Sequence, residues 1–231
     1  MRTWAQCRSC STSHLFSTSS VHGSPIASVA RLAAMRVAAQ PSSGMADGIP
    51  DLRELTRQFS VAGRVEAIIL RPQRNAPARS VASAVALADR GLDGDRSAAG
   101  TRTAGSTSKR QVTLFQFEHL PLVAKWSARD AVDPKELRRN LVISGINLVS
   151  TRSPFSDQPL RLHVGAEVVL LITGPCDPCS KMEAVLGPGA YNALRGHGGM
   201  TSRVLEGGLV QIGDTVRMAS GDSDHPPSRR A

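Results

Sequence analysis

The residues best suited to chemistry are two cysteines with CxxC spacing, Cys176 and Cys179. They follow an apolar, β-branched segment and a Gly-Pro turn, and they precede a run of helix formers that begins at Ser180. The unpaired N–H groups at a helix N-terminus stabilise a thiolate, so this position favours a nucleophilic thiol or a soft metal ligand. The plainer alternative is a pair of small buried hydrophobes, which is how free cysteines usually behave.

Candidate anion-binding groups lie in three other segments. Arg96 ends a turn of sequence Leu-Asp-Gly-Asp-Arg, Arg138 begins an Arg-Arg-Asn run, and residues 195–199 read Arg-Gly-His-Gly-Gly. Glycine lets a backbone approach a phosphate closely, and arginine binds phosphate oxygens bidentately. Taken singly, each segment is equally well explained by turn geometry and solvation. His197 fits a proton carrier as well as a histidine that only hydrogen-bonds within its turn.

The elements that must position these groups are short strands. Runs rich in β-branched residues and bounded by Gly, Pro, Asn or Asp predict eight of them. They cover residues 63–70, 80–87, 111–115, 141–144, 160–164, 167–173, 201–205 and 209–218. Residues 164–168 and 212–216 repeat one pattern, a strand entered through a glycine turn, which indicates corners of a closed sheet. The predicted fold is therefore mainly β, a β-barrel.

A few short helices complete the prediction. Asp133 and Pro134 form an N-cap and first helical position, so a helix is expected over residues 133–139. Three more are expected over residues 117–126, 180–186 and 190–194, the second beginning directly after Cys179.

Composition and charge narrow the function classes. The chain has 231 residues, of which only 3% are aromatic, and this scarcity counts against a reader of single-stranded nucleic acid that stacks bases on aromatic rings. The formal charge is +9, but residues 1–46 hold four arginines and no lysine or acid, so only +5 belongs to the remainder. No run of about 18 apolar residues is present, and no membrane partner is expected.

The expected organisation has four parts: an N-terminal extension over residues 1–46, a lead-in over 47–62, one functional domain over 63–218, and a polar tail over 219–231. The extension is rich in Ser and Arg, which is typical of disordered or organellar targeting segments. Alternatively, translation starts at Met35 or Met45. A cytoplasmic location is expected, or an organelle if the extension is a transit peptide.

The ordered set of motifs resembles the MOSC domain, named for the C-terminal domain of molybdenum cofactor sulfurases. The resemblance rests on residues 91–96 (Gly-Leu-Asp-Gly-Asp-Arg), 110–115 (Arg-Gln-Val-Thr-Leu-Phe), 138–148, the segment 176–183 with both cysteines, and the glycine-rich residues 195–199. It spans about residues 63–218 and is nearest to the stand-alone bacterial members.

This resemblance implies a barrel-like β fold that binds the molybdenum cofactor, whose pterin carries a phosphate. It implies that a cysteine thiolate ligates molybdenum or carries sulfur, in sulfur transfer or in the reduction of N-hydroxylated compounds. Cys179 matches the family's cysteine best, with Cys176 second, and Arg138 and Asn140 match an Arg-x-Asn element of the cofactor region. Arg96, Arg195, Gly196 and Gly198 complete the expected cofactor site.

The resemblance also bears on partners and on enzyme class. Redox or sulfur-donor proteins are expected partners of a molybdenum-dependent oxidoreductase or sulfur-transfer protein. Pyridoxal phosphate enters only by family association, since sulfurases carry an aminotransferase-like domain for which the chain has no room.

Three alternatives remain. A Cys-x-Pro-Cys segment before a helix is also typical of metal-free thiol-disulfide exchange, although the flanking chain lacks the βαβ pattern that such motifs occupy. A zinc site would need Cys7 and Cys10, far from the second pair. A nucleic-acid-binding module is motivated only by the basic charge.

Overall fold

The computed structural model describes residues 50–99 and 108–220. The predictions for residues 1–46, for the tail beyond residue 220, and for zinc at Cys7 and Cys10 lie outside the described residues.

The described residues form mainly β structure, with 11 strands. The strands are β1 (Gly63–Leu70), β2 (Arg79–Val81), β3 (Ser83–Leu87), β4 (Gly91–Leu92), β5 (Val112–Gln116), β6 (Leu141–Ser144), β7 (Leu160–Val164), β8 (Val168–Pro175), β9 (Met200–Glu206), β10 (Gly208–Gln211) and β11 (Thr215–Ser220).

Seven of these strands close into a barrel, which confirms the predicted fold class. The order is β11-β7-β8-β9-β5-β6-β1, and β1 pairs back with β11 to close the ring, while β2 pairs with the last residues of β1. β3, β4 and β10 form a separate three-stranded sheet. Closure leaves no unpaired edge within the ring, so the backbone groups of its strands are satisfied by their neighbours.

Local irregularities let the sheet curve. β1 changes register against β6 between Val65 and Ala67, and along its other edge its first residues pair with β11 and its last residues with β2. β8 changes register against β9 twice, the second time between Ile172 and Gly174. Such bulges bend a strand and raise its twist, and the second one re-aims the chain just before the cysteines.

In the part of the chain that the structure describes, six short helices accompany the barrel. They are α1 (Leu52–Leu55), α2 (Arg96–Ala99), α3 (His119–Trp126), α4 (Pro134–Leu137), α5 (Ser180–Leu186) and α6 (Ala190–Leu194). Asp133 caps α4 through a capping box, as its sequence predicts, and Arg138 ends it in the left-handed region at φ 55°. None of the helices in the described part of the chain is long and apolar enough to cross a membrane.

Two apolar clusters divide the core. The larger one fills the barrel with side chains such as Val65, Leu114 and Leu170, all of which are buried. The second lies outside the barrel wall, where Phe115 and Ile69 pack against residues of α3 to α6 such as Met182. The helices that flank the cysteines are therefore fixed to one outer face of the barrel.

Two predicted strands are wrong in detail. The run over residues 80–87 is broken near Ala82 into β2 and β3, which belong to different sheets. The run over residues 209–218 is broken at the Gly213 turn into β10 and β11, again in different sheets. A continuous β-branched run gives no sign of where a strand leaves one sheet for another, because that depends on its partners.

Candidate functional site

The cysteine loop, residues 176–179, connects the end of β8 to the start of α5. Cys176 is buried, with 6% of its surface exposed, whereas Cys179 is exposed and directly precedes the helix. Both are free thiols. The sequence predicted the strand, the turn and the helix around the pair, but not that the two thiols differ in exposure.

Arg139 holds the cysteine loop against the glycine-rich turn, residues 195–199. Its Nε donates to the Gly198 carbonyl at 2.7 Å, and its Nη2 donates to the Cys176 carbonyl at 3.3 Å. The Cys176 N–H donates in turn to the Gly199 carbonyl at 2.8 Å. Burial lowers the pKa of the Arg139 guanidinium, while the charge of a Cys176 thiolate opposes that shift. A buried cation thus lies between the cysteine loop and the turn.

Gly198 is required by this close contact. A Cβ at residue 198 would lie 2.2 Å from the Cys176 carbonyl oxygen, which is closer than any side chain tolerates. The turn can therefore approach the cysteine loop only because residue 198 lacks a side chain.

Asn140 belongs to a buried polar network with Arg71 and Asp95. Its Oδ1 accepts from Arg71 Nη2 at 2.8 Å and from the Thr113 N–H at 3.0 Å. Its Nδ2 donates to Asp95 Oδ2 at 2.9 Å and to the Ile69 carbonyl at 3.1 Å. Both amide donors of Asn140 are thus used within the protein, and its predicted contact with a cofactor stays a prediction.

Arg71 and Asp95 form the charged centre of this network. Arg71 donates to both carboxylate oxygens, from Nε at 2.9 Å and from Nη2 at 3.1 Å. Burial alone would raise the pKa of Asp95, but hydrogen bonds from Arg71 and Ser97 and the Arg71 charge lower it to about 2. The carboxylate is therefore ionised and matched by one guanidinium.

Arg96 and Arg138 add two further cations to this matched pair, and we call Arg71, Arg96 and Arg138 the arginine cluster. Burial lowers the pKa of Arg138, and the charges of Arg71 and Arg96 lower it further, with Asp95 opposing. Arg138 Nη1 donates to the Ala76 carbonyl at 2.8 Å, and the exposed Arg96 guanidinium has no partner among the residues that the structure describes. The structure thus brings two predicted site residues, Arg96 and Arg138, together around the Asp95 carboxylate.

The loop between β1 and β2 links the arginine cluster to Cys179. Arg138 binds this loop at Ala76, and Lys181, in the first turn of α5, donates from Nζ to Asn75 Oδ1. Cys179 lies two residues before Lys181. The Arg138 guanidinium and the first turn of α5, which directly follows Cys179, are therefore attached to the same loop.

His197 lies in an aromatic cluster that sequence reasoning missed. Its ring centroid is 4.7 Å from that of His119 and 4.9 Å from that of Trp126. The Nδ1 atoms of both histidines are buried, and neither has a hydrogen-bond partner in the described part of the chain. Burial lowers the pKa of His119, the neighbouring His197 lowers it further, and Glu118 opposes. The only sequence signal for this cluster was the helical spacing in residues 119–126, and it did not indicate that His197 packs against them.

Two further predicted residues, Gly196 and Gly198, line a cleft of about 500 Å³, which we call the Cys176 cleft. Its wall also includes Cys176 and Asp177 but not Cys179. Arg195 is exposed and does not line this cleft, and nothing in the described ranges joins it by a hydrogen bond or ion pair to Arg96 or Arg138. The structure thus places Arg96 and Arg138 in the arginine cluster, Gly196 and Gly198 in the Cys176 cleft, and Arg195 in neither.

Within residues 50–99 and 108–220, His, Cys, Asp and Glu form no group of three that could hold a metal ion.

Sequence reasoning also missed the roles of Arg139 and Arg71. Arg139 is adjacent to both named members of the Arg-Arg-Asn run, and it directly follows the left-handed backbone at Arg138.

The comparisons with known proteins come from sequence and from structure. The family model of the MOSC domain matches residues 93–217. No curated protein sequence matches the chain. The YuaD protein from Bacillus subtilis is 18% identical with a TM-score of 0.57, over 69% of this chain and 97% of that one. YiiM from Geobacillus stearothermophilus is 14% identical with a TM-score of 0.52, over 68% of this chain and 75% of that one. At these identities the likeness concerns the fold alone.

Proposed function

Because the chain belongs to the MOSC domain family, a family associated with molybdenum cofactor binding or sulfur transfer, we propose that it binds this cofactor between the arginine cluster and Cys179. Cys179 then serves as the thiolate ligand of molybdenum or as the carrier of sulfur. Arg96 and Arg138 hold the phosphate of the pterin.

The observation that carries this proposal is that one loop binds both Arg138 and the helix turn that follows Cys179. Arg138 and the first turn of α5 both bind the loop between β1 and β2, and Cys179 directly precedes that turn. Cys179 is exposed, so a ligand can reach it without opening the core. An anionic group that contacted Arg96 and Arg138 would then lie on the same surface as the thiolate.

The residues fit the chemistry of the cofactor. A thiolate is a soft ligand of the kind that suits a molybdenum centre, and guanidinium groups match phosphate oxygens. Asp95 is matched by Arg71, so the charges of Arg96 and Arg138 remain for a ligand. When bound, the molybdenum centre supplies redox chemistry or exchangeable sulfur.

The protein's own contribution is to bind and to position. Arg139 and the Gly199 carbonyl fix the backbone of Cys176, and the helix α5 fixes that of Cys179. The Asn140 network fixes the segments that carry Arg96 and Arg138, because Asp95 directly precedes Arg96 and Asn140 follows Arg138 by two residues. Asn140 is therefore a positioning residue in this proposal.

The test is the molybdenum content of the purified protein. We expect the wild-type chain, expressed in a host that makes the cofactor, to copurify with molybdenum and with a fluorescent pterin after oxidative release. Cys179→Ser should lose the metal, and Arg138→Gln should lose both metal and pterin, because a lone thiolate does not retain the phosphate.

Cys176→Ser is the matched control, since it changes the same atom in the buried member of the pair. It should keep its molybdenum if Cys179 is the ligand. Wild-type protein that carries neither metal nor pterin from a cofactor-replete host would contradict the proposal. The thiol-disulfide alternative predicts instead that metal-free protein exchanges with oxidised glutathione, forming a Cys176–Cys179 disulfide and two molecules of reduced glutathione, and that neither Ser variant forms this disulfide.

A further inference from the structure

The wall of the Cys176 cleft contains two charged side chains that have no hydrogen-bond or ion-pair partner among the described residues. Arg152 and Asp177 both lie in its wall, and neither side chain forms a hydrogen bond or ion pair with any residue in the described ranges. They also form no ion pair with each other. The wall of one cleft therefore contains an unpaired cation and an unpaired anion, both of them exposed and so open to a ligand.

The rest of the cleft is largely apolar. Val149, Pro154, Pro175 and Met200 contribute to its wall, and its volume is about 500 Å³. Clefts of this size that combine an apolar lining with a few polar groups are typical of small-molecule sites. The apolar wall suits a hydrocarbon body, and the two charges suit groups of opposite sign at its ends.

The cleft is separate from the arginine cluster. Neither Cys179 nor any of the three clustered arginines lies in its wall, whereas the buried Cys176 does. Arg152 belongs to the segment between β6 and β7, and no motif in that segment suggested a site. Ligand binding in the Cys176 cleft therefore does not depend on whether the protein binds molybdenum.

We propose that the Cys176 cleft binds a small zwitterion, in which an apolar body separates a carboxylate from an ammonium group. Arg152 pairs with the carboxylate through its planar guanidinium, and Asp177 pairs with the ammonium group. Such charge-assisted hydrogen bonds are stronger than neutral ones, and each is missing from a ligand that has only one of the two charges.

The test uses the full-length, metal-free protein labelled with ¹³C at the methionine methyl groups. Met200 is buried in the cleft wall, so its methyl resonance reports binding directly. The probe is 4-(aminomethyl)benzoate, and its single-charge analogues are 4-methylbenzoate and 4-methylbenzylamine. We expect a saturable shift of the Met200 resonance, assigned with Met200→Leu, and an affinity for the zwitterion at least tenfold above that for either analogue.

Two charge-neutral variants test the two proposed ion pairs with the ligand separately. In Arg152→Gln, the zwitterion should bind no better than 4-methylbenzylamine, because the carboxylate has lost its partner. In Asp177→Asn, it should bind no better than 4-methylbenzoate. Arg161→Gln, which changes an exposed arginine on β7 outside the cleft, should leave all three affinities unchanged.

Three results would overturn the inference. The first is the absence of any saturable Met200 shift at the solubility limit of the probe. The second is equal affinity for all three compounds in the wild type. The third is an equal Met200 shift from inorganic phosphate, which would mark a plain anion site. None of these readouts involves molybdenum, so failure here and failure of cofactor binding are separate results.

Discussion

The buried polar network of Arg71, Asp95 and Asn140 and the histidine cluster of His119 and His197 lie in the same molecule but differ in how their polar atoms are partnered. Every side-chain nitrogen and oxygen of the network has a hydrogen-bond partner. The Nδ1 atoms of both histidines are buried without one among the described residues.

This difference separates two kinds of contribution. A fully partnered buried network fixes the relative positions of its side chains, since any displacement leaves a buried group unsatisfied. An unpartnered buried nitrogen adds no such constraint, and burial lowers the pKa of the His119 imidazole. We therefore expect substitutions in the network to change global stability strongly, and substitutions near the histidines to change local geometry and pH dependence.

The largest expected effect follows from breaking the network. Asp95→Asn leaves the buried Arg71 without its counter-charge, and removal of one partner of a buried ion pair typically destabilises a protein by about 3–5 kcal/mol. The measurement is the free energy of unfolding in urea, followed by circular dichroism. Asp157→Asn is the control, because its ion pair with Arg53 is exposed and should contribute little. Equal effects of the two substitutions would contradict the distinction.

The second effect tests the glycine-rich turn. Gly198→Ala places a Cβ 2.2 Å from the Cys176 carbonyl, so the turn or the cysteine loop must move, at an expected loss of about 1–3 kcal/mol. Gly196→Ala is the control, because residue 196 has φ 76° but open space around its Cβ position.

The readout that separates these two variants is the reaction of Cys176 with a disulfide reagent, with the other three cysteines replaced by Ser. Gly198→Ala should expose the thiol and speed its reaction, whereas Gly196→Ala should only lower stability through backbone strain. Unchanged Cys176 reactivity in Gly198→Ala would show that the contact does not hold the cysteine loop.

The third effect is the acid dependence of the network. The folded state holds the pKa of Asp95 at about 2, below its ordinary value of 3.8, so its stabilisation is present above pH 4 and is lost as the pH falls toward 2. A shift of this size corresponds to about 2 kcal/mol. Urea unfolding of the wild type and Asp95→Asn should therefore converge between pH 4 and pH 2. Parallel curves over this range would exclude Asp95 as the titrating group.

The smallest effect concerns the histidine cluster. The pKa of His119 is lowered in the folded state by burial and by His197, so its neutral form is favoured, and stability falls as the pH drops below the ordinary value of 6.5. His119→Phe keeps an aromatic ring but removes the titration, so unfolding between pH 7.5 and pH 5 should depend less on pH. The NMR titration of His119 should show a midpoint below 6.5. A midpoint above that value would contradict the assigned environment.

Much of the fold could be predicted from local patterns. The β-branched run over residues 63–70 is β1, and the helix formers over residues 180–186 are α5, at the bounds that the sequence suggested. The long run over residues 80–87 failed, because its break at Ala82 depends on two different partner strands. Local propensity describes a strand, but only pairing decides to which sheet it belongs.

The candidate site could be predicted less well. Arg96 and Arg138 were named from their motifs, and the structure brings them together around Asp95. Arg139 was not named, although it makes the contacts that hold the cysteine loop. Adjacent arginines are equivalent in composition, and only the fold shows that Arg139 is buried whereas Arg138 is half-buried.

The sequence by itself determined a mainly β chain, a CxxC pair between a strand and a helix, and a set of arginines and glycines in MOSC-like order, because these follow from residue type and spacing along the chain. Only the tertiary structure decided that Cys176 is buried and Cys179 exposed, that Asn140 is committed to a buried network, and that Arg152 and Asp177 share a cleft. Burial, partnering and shared cavities arise between segments far apart in sequence, and they exist only once the barrel has closed.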